Sequence, residues 1–392
     1  MTGTRPLKIA IVAGEESGDL LGADLVRALR HKTGRDVELV GVGGRHLQAL
    51  GLNPLFDGSE IALMGISAIV RDLPRLIRRI GETARAIADA KPDCLVTIDS
   101  PDFALRVTAK VRKLNPDIPI VHYVCPSVWA WRPSRAKAMR PHVDRVLCIL
   151  PFEAAELERL GGPTGTYVGH RLAQDPGVLS AAAVQSQPRD LSDAREKTLL
   201  LLPGSRRGEV RRLLEPFGQT VAALRARGHA LRLLLPTVPH IAELVEAGIA
   251  GWDQKPEIIL EPARKWQAFG EADAALIASG TVSLELALSR VPMVSCYKLD
   301  SIARMAQGMV TVWSALLPNL IADRPIVPEF YDRYVRPQNL ARHIEALFAD
   351  TDYRGWQREG FGEVARRMAT TQPSGEIAAE AVLAEMEKAS TR

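Results

Sequence analysis

A chain of 392 residues is too long for one ordinary hydrophobic core and comfortable for two α/β domains. Its 46% hydrophobic and 24% charged residues are an average soluble composition, and no run of about 18 apolar residues offers a membrane span. With 50 Lys plus Arg against 46 Asp plus Glu, the net charge of +4 gives nucleic-acid binding no support, so any cationic surface must be local.

The first residues lead straight into a strand at 9–13 rather than into a signal-peptide apolar region, so action in the cytoplasm is expected. Further strand candidates are 37–42, 94–98, 118–123 and 145–149, with Tyr167-Val168 as a short edge. Helical periodicity separates them, as at 19–30 and 103–114. Residues 173–195, rich in Pro, Ser, Ala and Gln, read as a linker with a loose helix. The pattern restarts at 198–202 and continues at 231–235, 257–260, 274–278 and 293–296, with helices at 210–227 and 282–288. After Pro337 the chain is mainly helical, and its last amphipathic stretch, 375–388, is a candidate for crossing back to the first domain. The expected fold class is α/β, two doubly wound Rossmann-like domains (1–172 and 196–370) facing a cleft, with 371–392 as the terminal helix. Ligands of such sheets sit beyond the carboxyl ends of the strands. Cys94, Cys125, Cys148 and Cys296 lack C-x-x-C spacing and read as buried free thiols rather than a metal site.

Two glycine junctions carry opposite charge. The first strand runs into Gly14-Glu15-Glu16-Ser17-Gly18-Asp19, neither a Walker loop nor a strict G-x-G-x-x-G. Its carboxylates repel a pyrophosphate; either they cap a helix start, or Glu15, Ser17 and Asp19 accept from the hydroxyls of a sugar acceptor. At mid-chain the apolar run 199–202 ends in Pro203-Gly204-Ser205-Arg206-Arg207, a strand, tight loop and helix start that offers an anion backbone N–H groups and guanidinium. Ser279-Gly280-Thr281 opens another helix, with Glu285 one turn on. It is a simple N-cap with a helix-face charge, or a diphosphate loop with a carboxylate for a ribose diol. Asp99 stands at the carboxyl end of a buried strand, where a catalytic base would lie, whereas Asp102 is better explained as a helix cap. Trp129 and Trp131 follow an apolar strand and precede Pro133, which favours a loop lining a cleft over plain core. Residues 69–80 form a basic amphipathic helix, an ordinary surface helix or one docking on the anionic inner-membrane surface, and Met64 before it would cover an acyl chain.

Taken together, Ala13-Gly-Glu-Glu-Ser-Gly-Asp-Leu-Leu-Gly-Ala23, Ile98-Asp-Ser-Pro-Asp-Phe103, Pro126-Ser-Val-Trp-Ala-Trp-Arg132, Gly169-His170, Leu201-Leu-Pro-Gly-Ser-Arg206, Ala278-Ser-Gly-Thr281 with Leu284-Glu285, and Leu317-Pro-Asn-Leu320 resemble the lipid-A-disaccharide synthases. The motifs fall in order across nearly the whole chain. That resemblance implies a glycosyltransferase-B fold and an inverting transfer of diacylglucosamine from UDP-diacylglucosamine to diacylglucosamine 1-phosphate. It aligns Asp99 with the family's proposed general base, Arg206 with its diphosphate-contacting arginine, and Asn319 with the Leu-Pro-Asn-Leu motif on the nucleotide side. Cys125 departs from the serine usual there, and Val282-Ser283 replace smaller residues. No cofactor or metal is expected, since Asp350-Thr-Asp352 reads as a turn between terminal helices. A homodimer is compatible with the sequence. Rival readings are a peptidoglycan-precursor transferase or sugar epimerase of the same fold, or a non-catalytic nucleotide-sugar or lipid binder.

Overall fold

In a computed structural model, residues 5–62, 66–192, 195–299, 308 and 310–391 are described, with backbone alone at 59, 62 and 66–73. Met64 and the side chains of 69–73 therefore lie outside the described residues. The chain divides into two compact units, 1–170 with 370–392, and 171–369.

The first unit holds six parallel strands, β1 (Leu7–Ala13), β2 (Val37–Val42), β3 (Cys94–Ile98), β4 (Ile120–Tyr123), β5 (Arg145–Cys148) and β6 (Thr164–Tyr167). Their order is β2-β1-β3-β4-β5-β6. Every residue of β1 but Lys8 and all of β3 are buried, because helices cover both faces of a parallel sheet. One face packs Ala10, Val12, Leu95 and Ile120 beneath Phe103, Val107 and Ile87; the other packs Ile9, Ile11 and Val96 beneath Leu25, Leu29 and Val382. Val382 belongs to the last helix, Ser374–Ser390, which lies on helix Glu16–Thr33: Gly375 meets the backbone of Asp24 closely, and Lys32 pairs with Glu376 and Glu380.

The second unit has strands β7 (Lys197–Leu202), β8 (Leu231–Pro236), β9 (Glu257–Ile259), β10 (Ala274–Ala278), β11 (Met293–Tyr297) and β12 (Glu329–Tyr331), all parallel. Their order is β12-β11-β10-β7-β8-β9. Both sheets have a point where successive connections leave in opposite directions, between β1 and β3 in the first and between β7 and β10 in the second. Ligands of open α/β sheets bind at such points.

The expected linker is in fact packed. Helix Pro176–Gln185 starts on Asp175, whose carboxylate accepts from the Gly177 and Val178 amides, and Gly177 leaves room only for the Trp266 ring. Gln185 is fully buried, its Nε2 donating to the carbonyls of Phe269, Gly270 and Ala272. Downstream, Arg189 and Arg195 both pair with buried Asp273. The lack of periodicity in the sequence reflects a small-residue helix held by a tryptophan and by capping, not a loose tether.

Candidate active site

The register Ala13↔Ile98 sets the loop after β1 beside the loop after β3, so Gly14 and Glu15 flank Asp99. Gly14 is required there: a Cβ would lie 2.7 Å from Ile61 Cγ2 and 3.4 Å from Ser100 Oγ. Asp99 and Ser100 both take left-handed backbone, at φ +53° and +44°, and Val124 at the end of β4 does so at φ +73°. Such conformations are costly for non-glycine residues and concentrate at functional sites. Here the main chain is pinned by the Asp99 amide donating to the Tyr123 carbonyl at 2.9 Å and the Ser100 amide donating to Asp99 Oδ1 at 2.8 Å. Burial holds the Asp99 carboxyl above its usual range despite the Ser100 amide, and burial followed by the Asp99 charge raises Glu15. Asp99 Oδ2 accepts no hydrogen bond from a described residue.

The other acidic residues of the first junction divide differently. Ser17 is exposed at the first turn of its helix, and Glu16 pairs with Arg45. Asp19 is buried: Oδ1 accepts from the amides of Gly44 and Leu47 at 2.7 and 3.3 Å, and Oδ2 from the amide of His46 at 2.7 Å. Both oxygens of this carboxylate, expected to face an acceptor, are thus engaged by main-chain amides at the start of the short helix Arg45–Gln48. Asp102, by contrast, is not the cap expected of it: Ser100 holds the N-cap position, and Asp102 sits in the first turn of helix Pro101–Leu114 and pairs with Arg135 at 2.6 Å.

The aromatic loop is divided too. Trp131 is exposed beneath the Arg132 guanidinium, 4.2 Å from the ring. Trp129 is half-buried, edge-on to Phe152, and its Nε1 donates to Glu153 at 3.2 Å. Sequence reasoning missed Glu153. This residue is 2% exposed, its second oxygen accepts from the amides of Ile149 and Leu150, and burial raises its carboxyl to about 7 against those donors. A Glu after Pro151-Phe152 at a strand end was the only available signal.

In the second unit the register Leu202↔Ile277 brings the loops after β7 and β10 side by side. Gly204 lies at φ +108°, and a Cβ there would meet Glu209 Oε2 at 2.5 Å. Ser205 and Arg206 are exposed, and Arg206, at the N-terminus of helix Arg207–Ala226, donates to Glu209 Oε1 at 3.0 Å with 82% of its side chain in solvent. Only the arginine end of this pair stands in solvent, where its remaining guanidinium N–H groups are open to a phosphate. Ser279 donates to the Ala315 carbonyl at 3.4 Å, Thr281 and Gly280 are exposed, and Ser283 donates back to the Gly280 carbonyl at 2.7 Å.

Two expected nucleotide contacts already have partners within the second unit. Glu285 pairs with Lys265 at 2.6 Å. Asn319 is fully buried: Nδ2 donates to Ser314 Oγ, the Val327 carbonyl and Glu329 Oε1, while Oδ1 accepts from the Val327 amide at 2.8 Å. Glu329 also receives the Ala315 amide, and the Ala315 carbonyl receives the Ser279 hydroxyl, so these bonds link Asn319 to the loop after β10. A cavity of about 770 Å³ opens where β11 and β12 end, lined by Arg212, Lys298, Tyr331, Asp332, Arg333 and Tyr334.

On helix Ile66–Ala90, Leu76 and Ile80 are buried, Ile77 is 51% exposed, and Arg75 and Arg79 both pair with Glu60. Among the described residues no helix is long and apolar enough to cross a membrane.

Solved structures of low identity share the fold over almost the whole chain. A S. aureus MnaA–UDP co-structure aligns at TM-score 0.61 with 16% identity, covering 98% of this chain and 97% of that one. MurG of Acinetobacter baumannii aligns at 0.59 with 14% identity, over 98% and 100%. The architecture is of the glycosyltransferase-B type. Proteins named lipid-A-disaccharide synthase are far closer in sequence: one from Bradyrhizobium diazoefficiens is 45% identical over 97% of both chains, and one from Rhodopseudomonas palustris is 46% identical over 95% of this chain and 94% of its own. The family profile described as lipid-A-disaccharide synthetase matches residues 9–373. With every motif quoted above inside or beside that span, the chain belongs to the lipid-A-disaccharide synthase family.

Proposed function

We propose that this chain transfers 2,3-diacylglucosamine from its UDP donor to 2,3-diacylglucosamine 1-phosphate, forming the β-1,6-linked disaccharide 1-phosphate. The supporting observation is Asp99: a carboxyl with a raised proton affinity and one open oxygen, held on strained backbone where the first sheet changes direction. Asp99 takes the proton from the acceptor's primary hydroxyl as that oxygen attacks the anomeric carbon. The bond to the diphosphate breaks on the opposite face, and UDP departs with inversion. Arg206, the Gly204-Ser205 amides and the Ser279-Gly280-Thr281 loop meet the charge growing on the diphosphate. Glu15 and Ser17 orient acceptor hydroxyls, and Trp129 and Trp131 wall the acceptor side. The unit 1–170 with 370–392 is the acceptor side and 171–369 the nucleotide side.

Family membership favours this reading over an epimerase, a peptidoglycan-precursor transferase or a passive binder. The exposed Ile77 and Arg78 support peripheral attachment to an anionic membrane surface from the cytoplasm. The direct test is mass spectrometry of the products formed from UDP-diacylglucosamine and the monosaccharide 1-phosphate. A disaccharide 1-phosphate with release of one UDP is expected; epimerised donor, or no product at all, refutes the assignment.

A further inference from the structure

The register Tyr123↔Leu147 between β4 and β5 carries Cys125, just past the end of β4, next to Cys148 on β5. The turn Leu150-Pro151-Phe152 then folds Glu153 back over the same spot. As a result Cys125 Sγ, Cys148 Sγ and a Glu153 carboxylate oxygen, all buried, lie within 4.8 Å of one another. Among the described residues no other three cysteine, histidine or acidic side chains gather this way. The geometry points to a buried site for one thiophilic divalent ion, zinc in kind, bound by Cys125, Cys148 and Glu153.

Ligands on one zinc, with bonds of about 2.3 Å to sulfur and about 2.1 Å to oxygen, stand roughly 3.5–4 Å apart in a tetrahedral arrangement. Closing the cluster therefore asks for movements on the order of 1 Å, within side-chain reach. The thiols hold nothing strong that a metal would have to displace. Cys125 donates to the Pro126 carbonyl at 3.3 Å and Cys148 to the Val146 carbonyl at 3.8 Å, both weak sulfur bonds. Glu153 is already oriented by the Ile149 and Leu150 amides, as ligand carboxylates are. Room beside Cys148 is secured by Gly165, where a Cβ would come 3.1 Å from its sulfur. Two sulfurs and one oxygen select zinc or cadmium over magnesium or calcium. A metal takes these ligands as thiolates and carboxylate, so whatever protons they carry are released to solvent on binding, and affinity rises with pH. The Trp129–Glu153 hydrogen bond places this ion directly behind the aromatic loop.

The reduced, chelator-stripped full-length chain is titrated with Cd²⁺ while the thiolate-to-cadmium ultraviolet absorption is followed. Saturation at one equivalent is expected, with two sulfur scatterers in the cadmium X-ray absorption spectrum. Cys125→Ser and Cys148→Ser each remove most of the band, and Cys94→Ser leaves it whole. Absence of the band from the unsubstituted chain, a shell without sulfur, or a band that survives both Cys125→Ser and Cys148→Ser overturns the site. The titration of the unsubstituted chain decides the matter even if a serine variant folds poorly.

Discussion

Asp99 bears two burdens, a half-buried carboxyl and a left-handed backbone, and each has a measurable consequence. Asparagine tolerates the same backbone and keeps the shape. Asp99→Asn should therefore abolish turnover while UDP affinity, measured by calorimetry, stays unchanged; retained turnover would remove Asp99 as the base. Because its folded proton affinity is raised, the native state holds a proton that the unfolded chain has already released, and stability falls as pH rises through that window. The variant should accordingly melt above the parent at pH 7, with the two midpoints converging below about pH 3.9, the ordinary aspartate value. The rate should also fall on acidification at a pH above the usual carboxylate range. Asp19 is the opposite case. Asp19→Ala leaves the amides of Gly44 and His46 unpaired and should destabilise the fold by about 1–3 kcal/mol, read by denaturant titration. Nothing in Gly14-Glu15-Glu16-Ser17-Gly18-Asp19 distinguishes the open carboxylate from the committed one. The distinction rests on a loop 25 residues further along the chain.

At the level of elements, apolar runs ending in glycine and charge made most of the design legible. Of the strand candidates, 37–42, 94–98 and 274–278 match their boundaries, and both junction pairs fall beside the reversal points of their sheets. β12 escaped because Glu329–Tyr331 is too short to show alternation. Helix Pro176–Gln185 was half seen, since its partners on helix Pro262–Glu271 lie 84 or more residues away and its small residues mark no face. The loop after β7, proposed to hold the diphosphate, depends on one backbone torsion. Gly204→Ala forces a side chain into left-handed backbone against Glu209, for a cost of about 1–3 kcal/mol. UDP affinity should drop while the first unit's melting is unchanged; normal UDP binding by this variant would free the loop from its assigned role.

For the whole molecule, the decisive feature is that the first unit is discontinuous in sequence, its last helix arriving after all of 171–369. A chain ending at Ala369 lacks Ala378, Ala379 and Val382, which are fully buried, and strips the cover from Leu25, Val26 and Leu29. It also leaves Arg145 without Glu385. Truncation after Ala369 should thus abolish the first unit's cooperative melting and expose it to protease, while residues 171–369 remain resistant and still bind UDP. Equal protease resistance of both units after truncation would show that the terminal helix is dispensable. Synthesis on the ribosome meets the same dependency in time. Domains generally fold in the order in which they emerge, but here the half made first lacks its cover until residues 374–390 leave the exit tunnel. The second unit, contiguous and complete sooner, is free to fold ahead of the half that precedes it. Nascent chains thus carry an unfinished amino-terminal half until helix Ser374–Ser390 emerges, and that interval is when chaperones have the most apolar surface to guard.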